Sequence, residues 1–232
     1  MNKKQAMRLA KKLEAEEAAR AAKAEEQKKR EEFAKEYPIY DFTCTLRELE
    51  MEDDGTAGIY MAAHWPAVRD ALNAQRTDGQ KLDFDKIHIR MPEDSKEKES
   101  MLRMDFVNVM NECDMFLLNA EKYEEMIPIF QELLEMRDLS DDQLTRDNYI
   151  SAIGEAYDSL GRKEERDRIF EEQLSQGRND YLAAKYAAIL LEADELDKAE
   201  KLMADYTDSK DELMLYQFEY LKDLKRKKES KA

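Results

Sequence analysis

Little in this chain punctuates the backbone. Six glycines and four prolines in 232 residues leave few sites for tight turns and bulges, which argues against a sandwich or barrel and favours long helices. The two cysteines, Cys44 and Cys113, stand far apart in no CxxC or zinc spacing, so neither a disulfide framework nor a zinc site is expected. Cys113 lies on an apolar helical face and reads as a small buried hydrophobe. No apolar run approaches the roughly 20 residues of a membrane span. The opening MNKKQAMRLAKKLEAEE puts charges where a signal peptide needs its apolar core, and its glutamates argue against a mitochondrial presequence. The expected location is cytoplasmic, with no membrane partner.

Histidine is nearly as scarce, with His64 and His88 alone. Asp83, Asp85 and His88 form D-x-D-x-x-H, but on a strand the two aspartates share one face and the histidine takes the other. Glu52-Asp53-Asp54-Gly55 lacks the spaced ligands of a calcium loop. There is no Gly-rich phosphate loop, no G-x-S-x-G and no Cys/His signature. Acid pairs such as Asp141-Asp142 and Glu164-Glu165 read as solvated faces, and Trp65 beside Pro66 reads as a core anchor. No catalytic residue, cofactor or metal is expected, and the chain reads as non-enzymatic.

What the chain has is charge, at 40% of residues, unevenly placed. Residues 1–36 hold 11 Lys/Arg against 8 Asp/Glu, net +3; residues 37–100 hold 8 against 14, net −6. Residues 101–221 hold 13 against 30, net −17, and residues 222–232 hold 6 against 2, net +4. So acidic a body repels nucleic acid and anionic membrane and favours a basic partner.

Residues 1–36, almost all Ala, Glu, Lys, Arg and Gln, form a charged helix. Pairs such as Glu25 with Lys29 and Glu31 with Lys35 add small increments. Apolar anchors are few (Met7, Leu9, Leu13, Phe33, Tyr37), so the helix reads as solvated, with coiled-coil dimerisation as the alternative. Tyr37-Pro38 ends it. In residues 37–100, Tyr40, Phe42, Cys44 and Leu46 alternate with mostly polar neighbours, as do Leu82, Phe84, Ile87, Ile89 and Met91. Leu46 and Leu49 equally suit the opening of a short helix. Asp53-Asp54-Gly55 is a turn, a helix is expected from about Pro66 to Asp78-Gly79, and PEDSKEKES (92–100) is a charged linker. A small mixed α/β element, a two-stranded ribbon against a helix, is the expectation for this segment.

From Met101 the pattern is helical. Met104, Val107, Met110, Cys113, Asp114, Leu117 and Leu118 mark one helix; Tyr123, Met126, Ile127, Phe130, Leu133 and Leu134 mark a second, which Pro128 should bend or delay. Ile150, Ile153, Gly154, Ala156 and Tyr157 mark a third, and Ile169, Phe170 and Leu174 a fourth. Gly154 is costly mid-helix, by about 1 kcal/mol against alanine, so another helix should approach it closely. Gly161 suits the left-handed residue that ends a helix. Tyr181 to about Tyr206 holds a further pair, with Ala184, Ala187 and Ala188 on its first helix and Leu196, Ala199, Leu202 and Met203 on its second. Leu213, Tyr216, Phe218, Tyr220, Leu221 and Leu224 mark a last amphipathic helix.

The string DNYISAIGEAYDSLGRKEERDRIFEEQL (147–174), with its small residue, aromatic and closing apolar pair, resembles one unit of the tetratricopeptide repeat family. Tyr123, Phe130 and Leu134, and later the string Leu196-Asp197-Lys198-Ala199-Glu200, resemble parts of flanking units. Leu196 follows Lys163 by 33 residues, whereas Lys163 follows Tyr123 by 40. Against a family period of about 34, this implies an insertion near Asp138 to Gln143. Asp114 in place of Gly154, and Met126 in place of alanine, depart from the pattern. The resemblance covers residues 101–225 and implies a mainly α chain: about three helical hairpins plus a C-terminal capping helix within 101–232, preceded by the charged helix and the mixed element.

The resemblance also implies a protein-binding groove lined by the first helix of each hairpin. Its positions here are Asn108, Asn111, Met115 and Asn119; Asn148, Ser151, Glu155 and Asp158; and Tyr181, Ala184, Leu191 and Glu192. Asparagines suit the backbone of an extended peptide, while Glu155, Asp158 and Glu192 select a positive side chain. The family's clamp for acidic chaperone tails is built of Lys, Asn and Arg, and the corresponding places here are Asn111, Met115, Ser151, Ala152, Glu155, Tyr181 and Lys185. Only Lys185 and Asn111 suit it. The expected function is an adaptor or scaffold that binds a basic or amphipathic segment of another protein and no nucleic acid. One alternative is a self-assembling protein using the N-terminal helix or the basic tail, as a homo-oligomer. Another is a peptide-responsive nucleic-acid-binding regulator reading through residues 1–100.

Overall fold

The computed structural model describes residues 3–50, 54–77, 80–83, 86–92, 96–137 and 142–230. Over these the chain is mainly helical: α1 (Lys3–Glu36), α2 (Pro38–Glu50), α3 (Asp54–Asn73), α4 (Lys96–Asn119), α5 (Tyr123–Leu134), α6 (Gln143–Ser159), α7 (Lys163–Leu174), α8 (Asp180–Glu192), α9 (Leu196–Met203) and α10 (Glu212–Glu229). A 3-10 turn, Ala204–Tyr206, follows α9. The strands among the described residues are one short parallel pair, β1 (Leu82–Asp83) with β2 (Met136–Arg137).

Three helical hairpins close in the same way. Glu121, Gly161 and Asp194 take φ of 53°, 71° and 60°. The next residue donates its backbone N–H five positions back: Lys122 to Leu117 (2.9 Å), Arg162 to Tyr157 (2.8 Å) and Glu195 to Leu190 (2.8 Å). This left-handed cap satisfies carbonyls the helix end leaves open. The helices that open the next pair also start alike. Asp142, Asn179 and Asp211 accept the backbone N–H of Thr145, Leu182 and Met214 at 2.8, 3.0 and 3.0 Å, each satisfying one free donor. By its cap, α10 begins as α6 and α8 do.

The packing is two-layered. α2, α4, α6, α8 and α10 contact one another in sequence order, and α3, α5, α7 and α9 fill in behind them. The interior is continuous through α6. Phe42, Phe106, Phe116, Phe130 and Ile153 are buried on one side of it, and Phe170, Leu182, Tyr186, Leu190 and Met203 on the other. Among the described residues α1 joins this body near its end, where Phe33 meets Tyr37 and Tyr40 at ring separations of 5.0 and 6.1 Å. At about 1.5 Å per residue it extends roughly 50 Å, and the side chains from Glu17 to Glu32 are all exposed. Removing residues 1–30 should therefore move Tm by less than about 2 °C in thermal circular dichroism, since exposed positions contribute little to stability.

Several expectations for residues 37–100 give way. The 40–46 run is helix, not strand. Ile39, Phe42 and Leu46 sit three and four apart and are buried as one stripe, so a helical period coexists with the alternation. Thr43 donates its hydroxyl to the Ile39 carbonyl at 2.8 Å within that helix. Pro66 lies inside α3, which starts at Asp54 and buries Ala57, Met61, Trp65, Val68 and Leu72. Of the second expected strand, only Leu82–Asp83 pairs, and with Met136–Arg137 rather than with 40–46. Ile87, Ile89 and Met91 are buried while Lys86, His88 and Arg90 are exposed, so their alternation persists without a ladder. The charged linker is partly the first turn of α4, from Lys96. Met104 is exposed and leaves the expected core stripe, which runs instead through Leu102, Phe106, Val109, Cys113 and Phe116. Pro128 is accommodated within an uninterrupted α5. Asp53, Asp78-Gly79, Phe84-Asp85 and the insertion at 138–141 lie outside the described residues, as do the side chains of Met7, Leu9 and Leu13.

Candidate functional site

One side of α4 is left uncovered. Met101, Met104, Asn108, Asn111, Met115 and Asn119 recur at three- and four-residue steps and are all exposed, with Met104 at 64% and Met115 at 52%. A row of unbranched, polarizable methionines in water suits contact with another apolar surface. Next to it, α6 presents exposed Leu144 and half-buried Asn148 and Glu155, and α8 presents Tyr181, Lys185 and Glu192.

Neighbouring helices are tied across this face. The Tyr181 hydroxyl donates to Asn148 Oδ1 at 2.7 Å, and the Tyr149 hydroxyl reaches Asn111 Oδ1 at 3.4 Å. Lys185 Nζ lies 5.8 Å from the centre of the Tyr181 ring. Ser151 donates to Glu155 at 3.2 Å. Asp147, a buried carboxylate, accepts from Gln143 and from Asn179, both at 2.7 Å. Burial raises the Glu155 pKa; Lys185 and Ser151 oppose this, and Asp114 and Glu192 add to it. A carboxyl whose folded pKa exceeds its unfolded value destabilises the fold as pH rises past the unfolded value, because the unfolded chain releases the proton more readily. Glu155→Gln should raise Tm at pH 7 and leave it unchanged at pH 3, as measured by calorimetry.

The expected binding residues separate into groups. Asn108, Asn111, Met115, Asn119 and Glu192 are exposed on this face, and Asn148, Glu155 and Tyr181 border it half-buried. Ser151, Ala184 and Leu191 are buried, and Ser151 spends its hydroxyl on Glu155. Asp158 is already engaged: its Oδ1 lies 2.5 Å from Nη1 of Arg166. Pattern reading missed Met101, Met104 and Leu144. Their signal was present, as large apolar residues one or two positions off the core stripe.

Arg166 organises the opposite edge. Its side chain is 0% exposed, and it donates to Glu195 at 3.2 and 2.9 Å and to Asp167 at 3.0 and 2.8 Å, besides Asp158. Asp167 also accepts from the Tyr186 hydroxyl at 2.6 Å and pairs with Lys198, while Lys163 reaches Glu195 at 2.7 Å. Burial opposes the charge on Arg166, but Glu195, Asp167 and Asp158 outweigh it and raise its pKa. Burial likewise resists ionisation of Asp167, yet Lys198, Tyr186 and Arg166 hold its pKa below the usual carboxylate range. With every donor directed at a carboxylate, this cluster joins α6, α7, α8 and α9 and has no open position for a substrate.

Two cavities lie among the first four helices. One, of about 440 Å³, lies between α2 and α4 and is lined by Tyr40, Met91, Pro92, Lys98, Met101, Leu102 and Asp105. At its mouth Arg47 pairs with Asp105 at 2.5 Å. The other, about 240 Å³, lies where α1 passes α3 and contains His64 stacked on Tyr60 at 4.1 Å. Burial lowers the His64 pKa against the pull of Asp41, and Asp41 accepts the Tyr60 hydroxyl at 2.8 Å. His88 is exposed and 3.1 Å from Glu99; Asp83 and Asp85 have no described side chains. Among the described residues no group of three or more His, Cys, Asp or Glu is placed to hold a metal ion, and no helix is long and apolar enough to cross a membrane.

Comparison with known proteins matches no family, no curated protein and no solved structure.

Proposed function

We propose that the chain is a non-enzymatic adaptor of tetratricopeptide-like build, working in the cytoplasm, that captures a basic extended segment of another protein on the α4–α6–α8 face. The observation that carries this reading is the exposed methionine and asparagine row of α4 beside Glu155 and Glu192. Two features support it. The left-handed turn residues Gly161 and Asp194 lie 33 apart, near the family period of about 34, and Glu121 and Gly161 lie 40 apart, longer by the insertion expected near Asp138 to Gln143. The surrounding body, residues 101–221, is net −17, which steers cations inward. Asparagine amides offer the donors and acceptors that an extended backbone needs.

Fluorescence anisotropy with an arginine-rich and a glutamate-rich peptide tests the reading. The basic peptide should bind and the acidic one should not. Glu155→Gln combined with Glu192→Gln should weaken binding about tenfold, the effect of losing about 1.4 kcal/mol, and added salt should weaken it further. Equal binding of both peptides, or a double variant without effect, removes the groove assignment. Self-assembly through α1 is the second reading, favoured by the length of helix that stands clear of the body. A strict monomer in light scattering, before and after removal of residues 1–30, would exclude it.

A further inference from the structure

The cavity between α2 and α4 continues the exposed face, because Met101 both lines it and begins the methionine row. Its volume, about 440 Å³, falls in the roughly 300–1,000 Å³ range of sites that enclose apolar groups. Tyr40, Met91, Pro92, Met101 and Leu102 give it apolar walls, and Lys98 and Asp105 complete the lining. Asp105 pairs with Arg47 and Lys98 adds positive charge to the wall, so the cavity itself disfavours a cation. The negative charge lies one helix further on, where Glu155 of α6 neighbours Asp114 and Glu192, with Lys185 as a cation beside them. Apolar and acidic features are therefore separated along one path across the layer.

We propose that this cavity is the anchor site for one apolar side chain, aromatic or large aliphatic, of the captured segment, and that the segment carries a lysine or arginine about six or seven residues away, over Glu155. This deepens the adaptor reading and rests on it. The spacing follows from packing. Neighbouring helix axes lie about 8–10 Å apart, so the gap between α2 and α4 is about 12–15 Å to the side of α6. Asp114, beside Glu155, is also about 14–20 Å further along α4 than Met101 and Asp105 of the cavity wall. That puts Glu155 about 18–25 Å away. An extended chain covers about 3.3 Å per residue. The occupant is a foreign segment rather than this chain's own basic tail. Lys225 and Lys228 of that tail already pair with Glu200 and Asp194 at 2.5 and 2.7 Å, beside α9.

The test uses the full chain and fluorescein-labelled peptides of Ser, Gly and Asn carrying one Trp and one Arg. Placing the Arg about six or seven positions from the Trp should give roughly tenfold tighter binding than placing it next to the Trp or at about twice the distance. Met101→Asp should abolish the advantage of Trp over Ala in the peptide and leave the dependence on Arg. Met101→Leu should keep both. Glu155→Gln with Glu192→Gln should do the reverse of Met101→Asp, with circular dichroism showing each variant folded. Affinity indifferent to spacing, or a Met101→Asp variant that still prefers Trp, overturns the anchor and leaves the groove reading standing. Failure of every Arg peptide to bind overturns both. Self-association of the chain that Met101→Asp abolishes places a second copy in the cavity and overturns the foreign-segment assignment.

Discussion

Arg166→Met should lower stability by about 3 kcal/mol, the lower end of what breaking a buried ion pair costs. For a chain of this size that is roughly 6–12 °C in Tm. Methionine keeps most of the volume, so the loss is electrostatic: Asp158, Asp167 and Glu195 are left facing one another. The cost stays at the lower end because these side chains are 26%, 20% and 22% exposed, and Lys163 and Lys198 remain beside two of them. Adding Asp158→Asn to Arg166→Met should recover part of the loss, and Arg166→Lys should fall between, since an ammonium cannot serve three carboxylates with the fork geometry of a guanidinium. The acid limb of the stability curve gives a second readout. Arg166 leads the effects that hold Glu195 below the usual carboxylate range, and Asp167 is held low too. Carboxyls with depressed folded pKa contribute stability above their unfolded pKa and lose it as pH falls through the folded one. The wild type should therefore lose stability in the acid range below about pH 4, and Arg166→Met should lose less over that range. Urea titrations across the acid range would check both; a variant as stable as the wild type at pH 7 would refute the account.

Gly58→Ala should cost about 2–3 kcal/mol, about 4–12 °C in Tm, and much more than Gly154→Ala. Both glycines sit inside helices, where alanine is preferred by about 1 kcal/mol, so the naive expectation for each is stabilisation. A Cβ at Gly58 would stand 1.9 Å from the Phe116 carbonyl oxygen and 2.6 Å from the Ala120 Cβ. That oxygen belongs to the α4 backbone and cannot rotate away, so α3 and α4 must separate along their whole contact. At Gly154 the obstacle is the Phe170 ring edge, at 2.3 Å. A ring can swing, at the loss of its stacking on Tyr186, 4.5 Å away and 7° from parallel; about 1 kcal/mol is expected. Thermal denaturation of the two variants decides the order. If Gly58→Ala proved the milder, the α3–α4 contact would not be as close as described.

The contrast between these glycines shows where pattern reading succeeds. Gly154 lies in a stretch with a clear helical period, so its mid-helix cost was visible and pointed to a close neighbour, which is Phe170. Gly58 lies in DDGTAGIY, where Asp53, Asp54 and Gly55 resemble a turn, and the helix around it went unread. The same bias made a strand of residues 40–46. Two periods fit one short string, and only burial of Ile39, Phe42 and Leu46 against α3 and α4 selects the helical one.

The sequence alone was enough to determine a mainly helical chain, a long charged first helix, the hairpins after Met101 and the glycine turn at 161. Each rests on local interactions: propensity, the 3.6-residue period and a left-handed cap that favours glycine. Tertiary structure alone decided which polar residues were spent internally. Asp158 and Glu195 meet Arg166 only because α6, α7 and the start of α9 converge there, and Asp147 meets Asn179 only because α6 packs on α8. It also decided that Met101 and Met104 stay outside. A helix position is buried or free according to what packs against it, and no local pattern carries that information.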